Sequence, residues 1–380
     1  MKLILLLLVS CIVVLSYASH QNYPGTSTRP ILSDWEASQY TESNYLNGWS
    51  PETINTWQAD YTVGSGKQYS SIQEAVNAAI WAGGSTRKYI RIETGTYKET
   101  VYIPSTSVPI TLYGGGGSPD DVQIVLSLSA QTTGTEYTNI VNPNWQRYKS
   151  GDPAYSMFEK CYQSATIGTS CSSVVWIKAD NVQVANVKFE NPSTAAQAVA
   201  VQTNGDKTHF ENVHFYGFQD TLYLHAGKAY LNNVIIKGDV DFIFGSATAI
   251  FKNSQIIGRA DRPRTSALMF APSTDPNNSY GFLVVNCQLS AESKVASSTG
   301  LRLARAWDSG VSSGQYVPGV SPNGQLIIRD SSIAKGLNVN APYQTSTSGR
   351  AFSTSTSSSR NLNDNNHNRF WEYNNSGDSA

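Results

Sequence analysis

Short runs of aliphatic, β-branched and aromatic residues recur along the chain, each broken by one polar residue and then resumed, as in "VANVKFEN", "YLNNVIIKG", "FKNSQIIGR", "VVNCQLSA" and "IIRDSSIAK". The runs lack helical spacing and are punctuated by Gly and Asn, so they predict strands. The polar breaks fall at Asn186, Asn212, Asn233, Asn253, Asn286 and Asp330, spaced by 26, 21, 20, 33 and 44 residues. A step near 21 suits one coil of a solenoid, and the longer steps imply coils with inserted loops. The predicted fold is all-β, a right-handed parallel β-helix; an antiparallel sandwich is the alternative.

One early segment breaks the pattern. "SSIQEAVNAAIWAGG" places Ile72, Val76, Ala79 and Ile80 on one helical face and ends at Gly83, which predicts a short helix capping the first coil. The Ser/Thr/Asn-rich stretch over about 344–380 predicts a long surface excursion. Its "RFWEY" is too aromatic for a free tail and is expected to fold back on the coils.

Composition narrows the function classes. With 380 residues, 14% of them charged and a net charge of −1, the chain can bury a large core and offers no basic face for nucleic acid. The N-terminus "MKLILLLLVSCIVVLSYASHQ" reads as a secretory signal cut after Ala18, leaving a single domain over 19–380. A lipoprotein signal ending at Cys11 is the rival reading. No other window approaches a membrane span. In an exported chain Cys161 and Cys171 are a disulfide candidate with Cys287 left free, against three buried thiols. Asn277 and Asn374 each begin an N-N-S glycosylation pattern.

The same 21-residue step separates two carboxylates. Asp220 lies eight residues after Asn212, and Asp241 eight after Asn233, so equivalent coils would stack them on adjacent rungs about 4.8 Å apart. Two charges at that distance repel by roughly 3.5 kcal/mol at an effective dielectric of about 20. One should therefore hold a proton and serve as an acid while the other serves as nucleophile or base. Asn ladders stack readily because an amide both donates and accepts; carboxylates do not, which favours a chemical role for the pair. Gln197 precedes Gln219 by 22 residues, so a polar column of Gln197, Gln219–Asp220 and Asp241 is expected to cross one face.

"GFQDTLY", "GDVDFIFG" and "STAAQAVAVQTNGD", with "GSGKQYSSIQEAV", "GTYKETV", "LRLARAW" and "RFWEYNNSG", resemble the pectin methylesterases, and the similarity spans nearly all of the mature chain. The segment from Gly114 to Cys161 looks like the bacterial-type branch. The resemblance implies a right-handed parallel β-helix that removes methyl esters from galacturonate residues of homogalacturonan without metal or cofactor. It makes Asp241 the nucleophile, Asp220 the acid/base, Gln219 and Gln197 the oxyanion donors, and Arg305 the partner of the nucleophile. Trp307 would be the substrate platform, with Tyr223 and Phe244 lining the sugar groove. The family's Gly and Pro around the arginine are replaced by Ala304 and Ala306, and Ser173 is a candidate for a groove threonine. The chain is expected to be secreted and to act as a monomer.

Other motifs carry less. "GVSSG" at Gly310–Gly314 matches a serine-hydrolase elbow but lacks the strand before and helix after it. His209, His214 and His225 match no zinc spacing, and "GGGG" from Gly114 lacks the Lys-Ser/Thr of a phosphate loop. A glycosidase using the same carboxylates and a non-catalytic carbohydrate-binding relative are the alternatives.

Overall fold

The structure is a computed structural model that describes residues 25–380; the expected signal peptide and Cys11 lie outside the described residues. Strands pair in parallel from one end to the other in a right-handed β-helix, as the repeat predicts. Each coil has three faces. In one full turn the chain runs along the first face at Lys228–Asn232, the second at Ile235–Gly238 and the third at Ile243–Gly245, then re-enters the first at Thr248–Lys252.

The polar breaks are the corners between the first two faces. Asn186, Asn212, Asn233, Asn253, Asn286 and Asp330 all have φ between 50° and 55°, the left-handed region that Asn and Asp enter with least strain. The amide of Asn212 donates to Asn186 (2.8 Å) and that of Asn233 to Asn212 (3.4 Å), whereas Asn253 donates to Asn232 (3.0 Å). Asn374 (φ 48°) is a further corner that the spacing did not reveal, and its amide donates to Asp330 at 2.7 Å. That amide is therefore engaged, whereas Asn277 is exposed.

Inside, residues in register form apolar columns. One runs Ile90, Leu112, Val184, Phe210, Leu231, Phe251, Val284 and Ile328, each at most 1% exposed. The next position is Glu372. It accepts a two-pronged bond from Arg29 (2.9 and 2.8 Å), so an ion pair closes this end of the column. At the other end the predicted helix forms over Ile72–Trp81, capped by Ser71, and Ile72, Ala75, Val76 and Ala79 join the core. Glu99 accepts from the backbone N–H groups of Ile72 and Gln73, satisfying donors that the helix start leaves open.

The C-terminal segment behaves as expected, and two further features go beyond the sequence reading. Residues 369–373 are the last rung, paired with Gln325–Arg329, so the "RFWEY" segment does return to the coils and the excursion ends before it. Residues 30–49 form a strap along the outer first face, bonding Glu372 at one end and packing Trp49 on Tyr230 further along. The insertion before Val175 contains helices Gly134–Val141, Tyr155–Tyr162 and Gly168–Cys171 around a separate core of Tyr102, Tyr137, Tyr148 and Phe158. Cys161 and Cys171 form a disulfide there, and Cys287 is free and buried. Among the described residues no helix is long and apolar enough to cross a membrane.

Candidate active site

The two aspartates stand where the second face turns into the third. Gln219 bridges Val240, the Asp220 N–H donates to the Val240 carbonyl at 3.0 Å, and Leu222 is in register with Ile243, so Asp220 and Asp241 occupy equivalent places on adjacent rungs. Both have positive φ, 66° and 47°. Each turn starts with a glycine that cannot be replaced cheaply: a Cβ on Gly238 would lie 2.2 Å from that of Phe242, and one on Gly217 would lie 2.6 Å from Thr221 Oγ1. The turn thus fixes the carboxylate at a corner, and the 21-residue step stacks two of them.

Their environments differ. Arg305 reaches Asp241 with both ends of its fork, Nε to Oδ1 at 2.9 Å and Nη2 to Oδ2. Arg305 lies beyond the small Ala271 on the column that runs through Tyr223 and Phe244, which leaves a path for its side chain. Asp220 is 8% exposed and Asp241 7%. Burial, followed by the neighbouring Asp241 charge, holds Asp220 well above the usual carboxylate range, and Arg305 only partly offsets them. Burial also raises Asp241, against the Arg305 hydrogen bond and charge. The arginine therefore does not pull Asp241 below its ordinary range; it limits the rise and makes Asp241 the first of the two to ionise.

Gln219 and Gln197 are half-buried, and no side-chain hydrogen bond to either occurs among the described residues, which leaves their amides available to a ligand. The expected column is imperfect. Val201 is in register with Leu222, a step of 21, and the Ala198 N–H donates to the Gln219 carbonyl, so Gln197 sits one position off the Gln219 rung. Tyr223 and Phe244 stack at 4.2 Å and 11°, and the Trp307 ring meets both edge-on at 5.8 and 5.5 Å. Trp307 is the more open ring; Tyr223 (7% exposed) and Phe244 (4%) mainly support it. Ser173 is fully buried, with its hydroxyl on Gln202, so it does not face a groove.

A second acid–arginine pair went unread. Asp239, two residues before Asp241, is 1% exposed and takes both prongs of Arg262, which also donates to the Thr194 carbonyl at 3.1 Å. Arg259 lies 4.1 Å over the Phe218 ring. The run "GRADRPR" ties the loop to the aspartate turns, and its charge density in a chain 14% charged was the available signal. The histidines are dispersed: His209 packs on Tyr230, His214 on Tyr216 and His225 on Tyr223. No group of metal-ligating side chains converges among the described residues. Residues 310–314 form turns in a polar loop, with no strand-to-helix elbow.

Comparison with known proteins agrees with this fold. The family model described as Pectinesterase matches residues 146–310. A pectinesterase of Sitophilus oryzae is 50% identical over the full length of both chains, and pectinesterase B of Dickeya dadantii is 37% identical over 93% of this chain and 90% of its own. The solved structure of rice weevil pectin methyl esterase superposes with a TM-score of 0.90 at 50% identity, covering 95% of this chain and all of that one. YbhC of Escherichia coli gives 0.87 at 34% identity, covering 94% and 96%. The chain belongs to the pectinesterase family.

Proposed function

We propose that the chain hydrolyses the methyl esters of galacturonate residues in homogalacturonan through an acyl-enzyme on Asp241. The observation that carries this is the unequal pair: two buried aspartates on adjacent rungs, one of them held by Arg305. An Asp241 oxygen attacks the C6 ester carbonyl, and the oxyanion takes hydrogen bonds from the Gln219 and Gln197 amides. As the tetrahedral adduct collapses, the C–OCH₃ bond breaks and Asp220 gives its proton to the leaving oxygen, releasing methanol. Asp220, now a carboxylate, takes a proton from water as that water attacks the acyl carbonyl. Asp241 leaves as carboxylate, freeing the galacturonate, and Asp220 is again protonated. Trp307 offers a flat apolar face to the sugar ring, with Tyr223 and Phe244 behind it.

The apolar N-terminal run and the Cys161–Cys171 disulfide support a secreted enzyme, and we take it to act as a monomer. The test is the product ratio on methylated homogalacturonan. Methanol without new reducing ends is expected; new reducing ends without methanol would assign the same carboxylates to glycosidic cleavage.

A further inference from the structure

Trp307 and Arg305 stand at the mouth of a long insertion, and what fixes that mouth comes from a distant part of the chain. Asp308, next to Trp307, is 1% exposed. Its carboxylate accepts from the Ser348 hydroxyl at 2.7 Å and from Arg350 Nη2 at 3.0 Å. Its own N–H donates to Thr347 Oγ1 at 3.0 Å, and the Thr347 N–H donates to the Ala306 carbonyl at 3.1 Å. Arg350 also lies 3.9 Å over the Tyr316 ring and bonds Asn323, so the C-terminal excursion is laced to both ends of the insertion.

The composition of this knot is informative. Asp308 and Arg350 form an ion pair with side chains only 0% and 14% exposed, yet among the described residues the buried Nε and Nη1 of Arg350 have no hydrogen-bond partner. A buried pair with donors left open is a poor source of stability, because desolvation offsets the attraction. It does impose one geometry on the segment it holds. That segment is Arg305–Asp308, where a small displacement would move the Trp307 face relative to the carboxylates.

We propose that Asp308, held by Arg350 and Ser348, is a positioning residue that sets the Trp307 platform, so that the Ser/Thr-rich excursion is a working part of the substrate site. The proposal rests on the reading of Trp307 as the sugar platform. It is tested by methanol-release kinetics on methylated homogalacturonan for the wild type, Asp308→Asn, Trp307→Ala and the double variant, with melting temperatures measured in parallel. Asp308→Asn should raise KM about tenfold while kcat changes less than about threefold, the pattern of lost substrate binding rather than lost chemistry. In the Trp307→Ala background the same substitution should add less than about twofold, because both act through one ring. Ser348→Ala and Arg350→Lys should give smaller KM rises, and they replace Asp308→Asn if that variant does not fold. Unchanged KM in folded variants, a fall confined to kcat, or full additivity with Trp307→Ala would each overturn the proposal. An unchanged KM in Trp307→Ala alone would do so as well. Absence of methanol release by the wild type would instead reject the hydrolase reading itself.

Discussion

Replacing Arg305 by Ala removes both charge-assisted bonds to Asp241 and leaves a carboxylate 7% exposed beside a second acid. Opposite charges about 4 Å apart attract by about 4 kcal/mol at an effective dielectric of about 20, a change of roughly a thousandfold in the ionisation equilibrium. The arginine side chain is 29% exposed, so solvent takes part of this, and a loss of roughly a hundredfold is the lower figure. The sign follows from the roles. On the proposed mechanism Asp241 attacks as the carboxylate, and burial already raises it. Without Arg305 it rises further, and Asp220 rises too because Arg305 had lowered it. Both limbs of the kcat/KM profile should therefore move to higher pH, and on the acid side of the wild-type profile, where the rate follows the ionised fraction of Asp241, activity should fall by two to three orders of magnitude, on the order of the figures above. Arg305→Lys keeps the charge but not the fork and should fall between. Initial rates of methanol release across the pH range decide the matter. A loss of activity with the acid limb unmoved would show that Arg305 acts on something other than Asp241.

Other consequences are accessible to standard measurements. Asp220→Asn should lower kcat by at least about a hundredfold and abolish the alkaline limb, read from the same pH series. In the wild type, folding raises Asp220, so its contribution to stability is complete below the ordinary aspartate range and is lost as pH rises toward the folded value. Melting temperature against pH should decline less in Asp220→Asn than in the wild type, the remaining decline coming from Asp241, which burial also raises. Gln219→Ala should reduce kcat by about a hundredfold with little change in KM, as loss of an oxyanion donor does. Arg29→Ala strands Glu372 at the end of the apolar column and should cost about 3 kcal/mol, measured by denaturant unfolding, with kcat unchanged.

The solenoid was legible because its corners from Asn186 to Asn374 adopt positive φ, so Asn or Asp recurs at them and the interval counts the coil. That interval also placed Asp220 over Asp241, since no insertion separates those two rungs. Where insertions intervene, counting fails. Arg305 lies 64 residues from Asp241, and spacing gave no reason to join them; only the resemblance did. Gln197 shows the limit at finer scale: a spacing of 22 against a register of 21 moves it one position along the turn. The strap was invisible for another reason. Its segments are short and irregular, and its partners lie far off in sequence, as with Glu42 and Lys252, 210 residues apart. The helices of the insertion are only four to eight residues long and carry too few turns for a periodic signal.

Asp241 is the proposed attacking group. Asp241→Asn is nearly isosteric and keeps a corner residue suited to positive φ, so the fold should persist. Methanol release from methylated homogalacturonan by the purified variant, at matched melting temperature, tests the claim directly. A fall of at least about a thousandfold in kcat is expected. Retention of a tenth or more of the wild-type rate would contradict it.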